Sequence, residues 1–488
     1  MKLLAPVNLE KAERFLWALT LLTVPVTSFR FMPFMGADSQ VRPLSLIPAG
    51  LLLFVIVIRS MQQRRLLFWN TSMVPLLAFL LAALLSSALG FFLAPPDLYN
   101  YAYSSRLLRA WVTFGVGMIF FIVPMSMNRD EQDLKFTLKW LFIGLAGHVL
   151  WSLVQLFYFY IVENYFNEQI FSNWLDQIQK TVMMAGLSPN RRISGLALEP
   201  SWLAAQVVTI YLPWFFAAVV KGYIWSKPRW LAPVCLVACG GLILFTFSRS
   251  GILIAVLAVL LTFLVTGSDW IRRAWLWFGR PFRAQYTIRS RQSMQAAVRI
   301  VICAALLAGL AGGALIVSQN KYFASIWQSD KRDPISYLVD IYAGPRLAAA
   351  WAGWTIFVQY PLTGVGLGAT GLYFHQALPD WAHFNITEVS QLFSPAAQIY
   401  PNAKNLYIRV LAETGIVGFW LLLSFYLLLL GKIRGLLRSP RRELIFVGTA
   451  SLLAWIGIMV LGFTQDSFAM LNIWMPLGIL VGMANPRS

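Results

Sequence analysis

The chain has 488 residues, 58% of them apolar and only 12% charged, with 20 Trp and 35 Phe; this mixture excludes both a disordered chain and an ordinary soluble domain. Lys and Arg number 39 against 20 Asp and Glu, a net charge of +19. The basic residues fall in short blocks between apolar runs, which is the positive-inside signature of an integral membrane protein and not a nucleic-acid footprint.

Crossing a hydrocarbon core of about 30 Å takes roughly 20 apolar residues, and about twelve such runs follow one another. They centre near residues 22, 50, 80, 115, 147, 208, 238, 259, 308, 418, 453 and 476. The first, Phe15 to Val26, follows Lys2, Lys11 and Arg14 as a secretory signal would. No small-residue cleavage pattern comes after it, so it reads as a retained transmembrane helix. With the N-terminus in the cytoplasm, the inside segments hold about 25 of the 39 basic residues. The blocks are Arg59/Arg64/Arg65, Lys221/Lys227/Arg229, the run from Arg272 to Arg299, and Lys432/Arg434/Arg438/Arg441/Arg442. An even span count returns the C-terminus to the cytoplasmic side. The expected fold is an all-α integral membrane protein of about twelve transmembrane helices, one polytopic domain over residues 1–488.

Two outward segments are too long to be turns, residues 163–199 and residues 318–405, the latter between spans 9 and 10. Both mix aromatic, amide and charged residues, and the piece from Phe166 to Met183 is amphipathic enough to lie on the membrane surface. No inverted repeat is evident.

Familiar catalytic patterns are scarce. Cys235, Cys239 and Cys303 lie in apolar runs and read as packing residues. Gly366-Leu-Gly368-Ala-Thr-Gly371 is formally a GxGxxG, but it lacks the acidic residue of a dinucleotide site and reads as a flexible turn near the membrane surface. The three histidines are His148, in an apolar run and either a core or a pore residue, and His375 and His383 on the outward side. No Walker, HExxH, GxSxG or CxxC pattern is present.

Outward cations are more informative, because insertion bias depletes that side of Lys and Arg. Arg191 and Arg192 precede Ile193-Ser-Gly-Leu-Ala-Leu-Glu199-Pro200-Ser201, Arg249 stands in Ser248-Arg249-Ser250-Gly251, and Arg346 follows Gly344-Pro345. The planar donor fork of arginine matches phosphate oxygens, so arginines converging outside the membrane suit a lipid diphosphate; interfacial anchoring is the alternative. Glu199-Pro200 is a helix start, and the carboxylate of Glu199 is a general base, an arginine partner or a complement to the helix dipole.

These motifs together resemble the bacterial O-antigen ligase and polymerase superfamily: Arg192-Ile-Ser-Gly-Leu-Ala-Leu-Glu199-Pro-Ser201, Thr246-Phe-Ser-Arg249-Ser-Gly251, Pro361-Leu-Thr-Gly-Val-Gly366, and Asn405-Leu-Tyr407-Ile-Arg-Val-Leu-Ala-Glu413-Thr-Gly415. The resemblance implies an inner-membrane glycosyltransferase of the C type, working at the periplasmic face on glycans carried by undecaprenyl diphosphate, without metal, nucleotide sugar or other cofactor. It implies Arg192, Arg249 and Arg346 as diphosphate ligands, with Arg191, Asn405 and Tyr407 beside them, and Glu199 as the base. Ligases of the superfamily usually carry His just before the Asn of Asn-x-Tyr. Lys404 stands there in this chain, charged at neutral pH and suited to a phosphate contact, and the Glu199-Pro-Ser201 element resembles the polymerase branch. The expected activity is therefore polymerisation of lipid-linked repeat units into O-antigen, capsule or exopolysaccharide. Transfer to lipid A core is the alternative, and a transporter of lipid-linked sugars the competitor from another class. Glu413, inside the helix that follows Asn-x-Tyr, ranks behind Glu199 as a base, with interhelical hydrogen bonding as its alternative role. Trp327, Tyr337, Tyr342, Trp351, Trp354 and Trp381 stack on sugars or form interfacial belts. Chain-length regulators and export proteins are the implied partners.

Overall fold

The computed structural model describes residues 6–33, 39–64, 69–93, 101–163, 169–184, 186–188, 190–224, 227–283, 289–341, 343–385, 389 and 400–485. Among them the chain is helical, with two isolated bridges, Ser28 with Arg42 and Phe29 with Met183, and no strand. The helices are α1 (Pro6–Thr23), α2 (Leu46–Gln63), α3 (Val74–Phe92), α4 (Tyr103–Met127), α5 (Glu131–Phe157), α6 (Gln169–Val182), α7 (Pro200–Lys221), α8 (Leu231–Phe245), α9 (Arg249–Thr266) and α10 (Ser268–Arg283). They continue as α11 (Arg289–Gln319), α12 (Lys321–Gln328), α13 (Pro334–Asp340), α14 (Gly344–Gln359), α15 (Thr370–Ala377), α16 (Asp380–Asn385), α17 (Leu406–Leu437), α18 (Arg442–Leu461) and α19 (Leu471–Ala484).

Nine helices among the described residues are long and apolar enough to cross a membrane, and α8 and α19 are shorter apolar helices. The chain is a multi-pass membrane protein. The first apolar run is carried by α1, whose middle lies well before the expected residue 22 because the helix stops at Thr23. Pro25 accounts for the stop, since its ring disfavours helical backbone at Val24. The outward segment expected as a loop over 318–405 is largely folded into α12 to α16, which pair backbone groups that a bare loop of that length would leave to water. Tyr342 and His383 lie outside the residues whose side chains are described.

At the centre of the bundle stands α7, with 94% of its spanning window buried. Its sequence is apolar on every face, the pattern of a helix enclosed by other helices, and α5, α8, α9, α18 and α19 surround it. Elsewhere α3 runs along α17 and α4 along α19. The α4–α17–α19 seam is filled by Phe114, Phe121, Phe425, Phe468 and Trp474, with ring centroids 5.4 Å apart for Phe114 and Phe468 and 5.7 Å for Phe121 and Phe425. Such edge-to-face aromatic pairs add to the energy of burial.

Two buried polar clusters inside the bundle tie the segment before α7 to its neighbours. The Leu196 N–H donates to Nδ1 of His148 at 3.2 Å, so the proton sits on Nε2, which faces Gln206 Oε1 at 3.0 Å. Gln206 Nε2 then donates to the Val24 carbonyl at 2.9 Å. His148 is thus a buried, neutral core residue that fastens the segment before α7 to α5 and α1. Gln155 does the same nearby, its Oε1 accepting from the N–H groups of Ser194 and Gly195 at 3.1 and 2.9 Å.

Candidate functional site

Two motifs that are separate in the sequence form one structural unit. Helix α17 is broken at Gly415, where φ is 65° and ψ is −171°, a conformation practically reserved for glycine. The turn from Pro361 to Gly366 fills the break. Val365 N–H donates to Ala412 O and Gly366 N–H to Glu413 O, each at 3.0 Å, while Ile416 N–H donates to Pro361 O at 2.8 Å. The interrupted helix thereby keeps its backbone bonds satisfied, the condition for irregular backbone inside a membrane protein. The stretch from Gly366 to Gly371 that continues from the turn, expected as a flexible turn near the membrane surface, is buried, and a side chain at Gly366, whose φ is 99°, would strike the Tyr103 hydroxyl. Among the described residues no strand precedes it, as a dinucleotide-type turn would require.

Beside this unit opens a cavity of about 750 Å³. Its walls come from residues 39–41, the start of α4, the approach to α7, the N-termini of α14, α15 and α17, and the connection between α18 and α19. Five cations line it, Arg106, Arg109, Arg346, Lys404 and Arg409, against three carboxylates, Glu199, Glu413 and Asp466. The helix N-termini add partial positive charge to the same space, so the chamber is built to receive an anion. Its size is that of a small-molecule site.

The cations are held by aromatic and backbone groups. The Arg106 guanidinium lies 3.2 Å from the centre of the Tyr400 ring and 5.1 Å from that of Tyr101, and Tyr400 is itself fixed by donating to Gly368 O at 2.7 Å. Burial raises the Tyr400 phenol above its ordinary range, with Arg106 pulling the other way, so it remains a neutral donor. Arg409 donates through Nε to Glu413 Oε1 at 3.0 Å and through Nη1 to Asp466 O at 2.7 Å. Lys404 takes a left-handed backbone, φ 49°, and its N–H donates to Asp466 Oδ2 at 3.0 Å.

Of the residues expected from sequence, Glu199, Arg346 and Lys404 meet in the cavity. Glu199 is exposed at its wall, with Ser201 Oγ 3.3 Å from Oε2; Arg346 is exposed in the first turn of α14. The others are not part of the lining. Arg191 pairs with Glu163 at 3.0 Å, Arg192 Nε donates to Thr246 O at 2.9 Å, and Arg249 reaches Ile341 O and Ser325 Oγ, each at 2.6 Å. Asn405 caps α17, its Oδ1 accepting from the N–H groups of Tyr407 and Ile408. The Tyr407 hydroxyl donates to Met459 O at 2.6 Å.

Sequence reasoning missed Arg106, Arg109, Arg409 and Asp466 as lining residues, and it ranked Glu413 behind Glu199. A signal existed for the first two, which stand three apart at the end of an apolar run that the positive-inside count expects to be outward, the criterion that singled out Arg249. For Arg409 and Glu413 it was the i, i+4 spacing of opposite charges inside an apolar helix.

Residues 234–423 match a family model described as O-antigen ligase, which supports the O-antigen ligase and polymerase superfamily. The matched stretch contains Arg249, Arg346, the Pro361–Gly366 turn, Lys404 and Glu413; Glu199 and Arg106 lie outside it. No curated protein matches the chain.

Proposed function

We propose that the protein is a glycosyltransferase that polymerises undecaprenyl-diphosphate-linked repeat units at the periplasmic face of the bacterial inner membrane. The observation that carries this reading is the cation-rich cavity, part of whose wall lies in the stretch that matches the O-antigen ligase model. Counting α1, α8 and α19 with the nine long apolar helices gives twelve spans. Both termini then lie in the cytoplasm, and every segment lining the cavity lies outside.

A lipid diphosphate stays at the bilayer surface and a hydrophilic glycan stays out of the bilayer, so the reaction belongs at the rim where the chamber opens. Arg106, Arg109, Arg346 and Lys404 hold the diphosphate and stabilise the charge it gains on leaving, while the chamber positions donor and acceptor together. Transfer to lipid A core is the second reading, favoured by the family description. Chain-length regulators and export proteins are the proposed partners.

The test uses the purified protein in liposomes with a lipid-linked repeat unit. A ladder of longer lipid-linked chains is expected. Glycan moved only onto added lipid A core selects the ligase reading, and passage of the substrate across the bilayer without transfer refutes both.

A further inference from the structure

We propose that Glu413 is the carboxylate that takes the proton from the acceptor hydroxyl, an assignment that rests on the transferase reading above. Glu413 lines the cavity at only 2% exposure. Its Oε1 accepts from Arg409 Nε at 3.0 Å and from Thr370 Oγ1 at 3.1 Å, whereas its Oε2 has no hydrogen-bond partner among the described residues. A buried carboxylate oxygen left without a donor calls for an explanation, and a substrate hydroxyl supplies the missing one.

The backbone beneath it is fixed with unusual care. The Glu413 carbonyl accepts from Gly366 N–H at 3.0 Å and from Ser86 Oγ at 2.6 Å, and the Gly415 break ends the helix two residues later. With Oε1 tied down and the main chain braced, the carboxyl group is held at the cavity wall with Oε2 left for an incoming hydroxyl. Arg409 and Thr370, both on Oε1, fix the orientation of the carboxyl group. Glu199 differs, its side chain being exposed and, among the described residues, in a 3.3 Å contact with Ser201.

In the step so assigned, the acceptor O–H bond breaks and its proton passes to Glu413 Oε2. The hydroxyl oxygen forms a bond to the anomeric carbon of the donor sugar. The bond from that carbon to the diphosphate oxygen breaks, and its electron pair leaves with the lipid diphosphate into the cationic wall. Glu413 then returns the proton to water in the chamber.

The experiment compares wild type, Glu413→Gln, Glu413→Asp and Glu199→Gln in liposomes with the lipid-linked repeat unit, measuring donor binding separately from transfer. Glu413→Gln should bind donor like wild type yet transfer at least about 100-fold more slowly. Glu413→Asp should lower kcat more than it changes KM. Transfer by Glu413→Gln within about tenfold of wild type, or loss of donor binding in step with transfer, would overturn the assignment. Should Glu413→Gln not fold, an unchanged kcat in Glu413→Asp overturns it and a lowered kcat at constant KM supports it. Wild type that transfers to no acceptor refutes the transferase reading itself; wild type and Glu413→Gln active alike leave that reading standing and remove Glu413.

Discussion

Replacing Gly415 by Ala tests the broken helix. A non-glycine residue at φ 65°, ψ −171° costs about 1–3 kcal/mol in backbone strain. A Cβ there would also run into the Leu362 carbonyl and sit 2.8 Å from Thr363 N. Both are main-chain atoms held by the bonds that close the break, and over-packing of this sort costs about 1–3 kcal/mol more. The expected loss is about 2–6 kcal/mol. Gly431, on the same helix, has nothing within 4 Å of its Cβ position, so Gly431→Ala should stabilise by about 0.5–1 kcal/mol. Thermal unfolding of both variants in one detergent, followed by Trp fluorescence, separates them. If Gly415→Ala melts with the wild type, or if Gly431→Ala loses as much, the account of the break is wrong.

Asn405→Ala removes the cap of α17 and should cost about 1 kcal/mol, whereas Asn405→Asp should retain most of it; chemical unfolding measures both. Arg346→Ala should weaken donor binding about 10- to 100-fold, the worth of a charge-assisted contact of 1.5–3 kcal/mol, and unchanged affinity would remove it from the diphosphate site. Arg249→Ala should speed proteolysis between Lys321 and Asp340, because it deletes the bonds to Ser325 and Ile341; an unaltered digest would contradict that role. Tyr400 has a folded phenol raised above its ordinary 10.0 by burial. Its stabilisation is therefore complete below that pH and lost as pH climbs toward the folded value. Tyr400→Phe should flatten this alkaline loss while costing about 1 kcal/mol at neutral pH through the missing bond to Gly368.

The sequence revealed the helices well, since a run of 20 apolar residues has little choice in hydrocarbon. Glu199, Arg346 and Lys404 were also legible, each beside a helix start. The fates of the remaining arginines were not. Arg249 is engaged by residues 76 and 92 positions away, and no local pattern reports such a contact. Glu413 was seen but undervalued. Its spacing to Arg409 marks an ion pair, whereas the vacant lone pairs on its second oxygen depend on where Thr370 and the 361–366 turn come to rest.

The repair of α17 by a turn some 50 residues upstream also bears on how the protein is made. Residues 361–366 leave the ribosome before 406–416, so the groups that complete the broken helix already exist when α17 enters the bilayer. Had the order been reversed, α17 would insert with open carbonyls, each costing several kcal/mol in lipid. Biogenesis and the geometry of the cavity are thus joined at one point: the 361–366 turn must be in place before the helix that bears Glu413 can be finished.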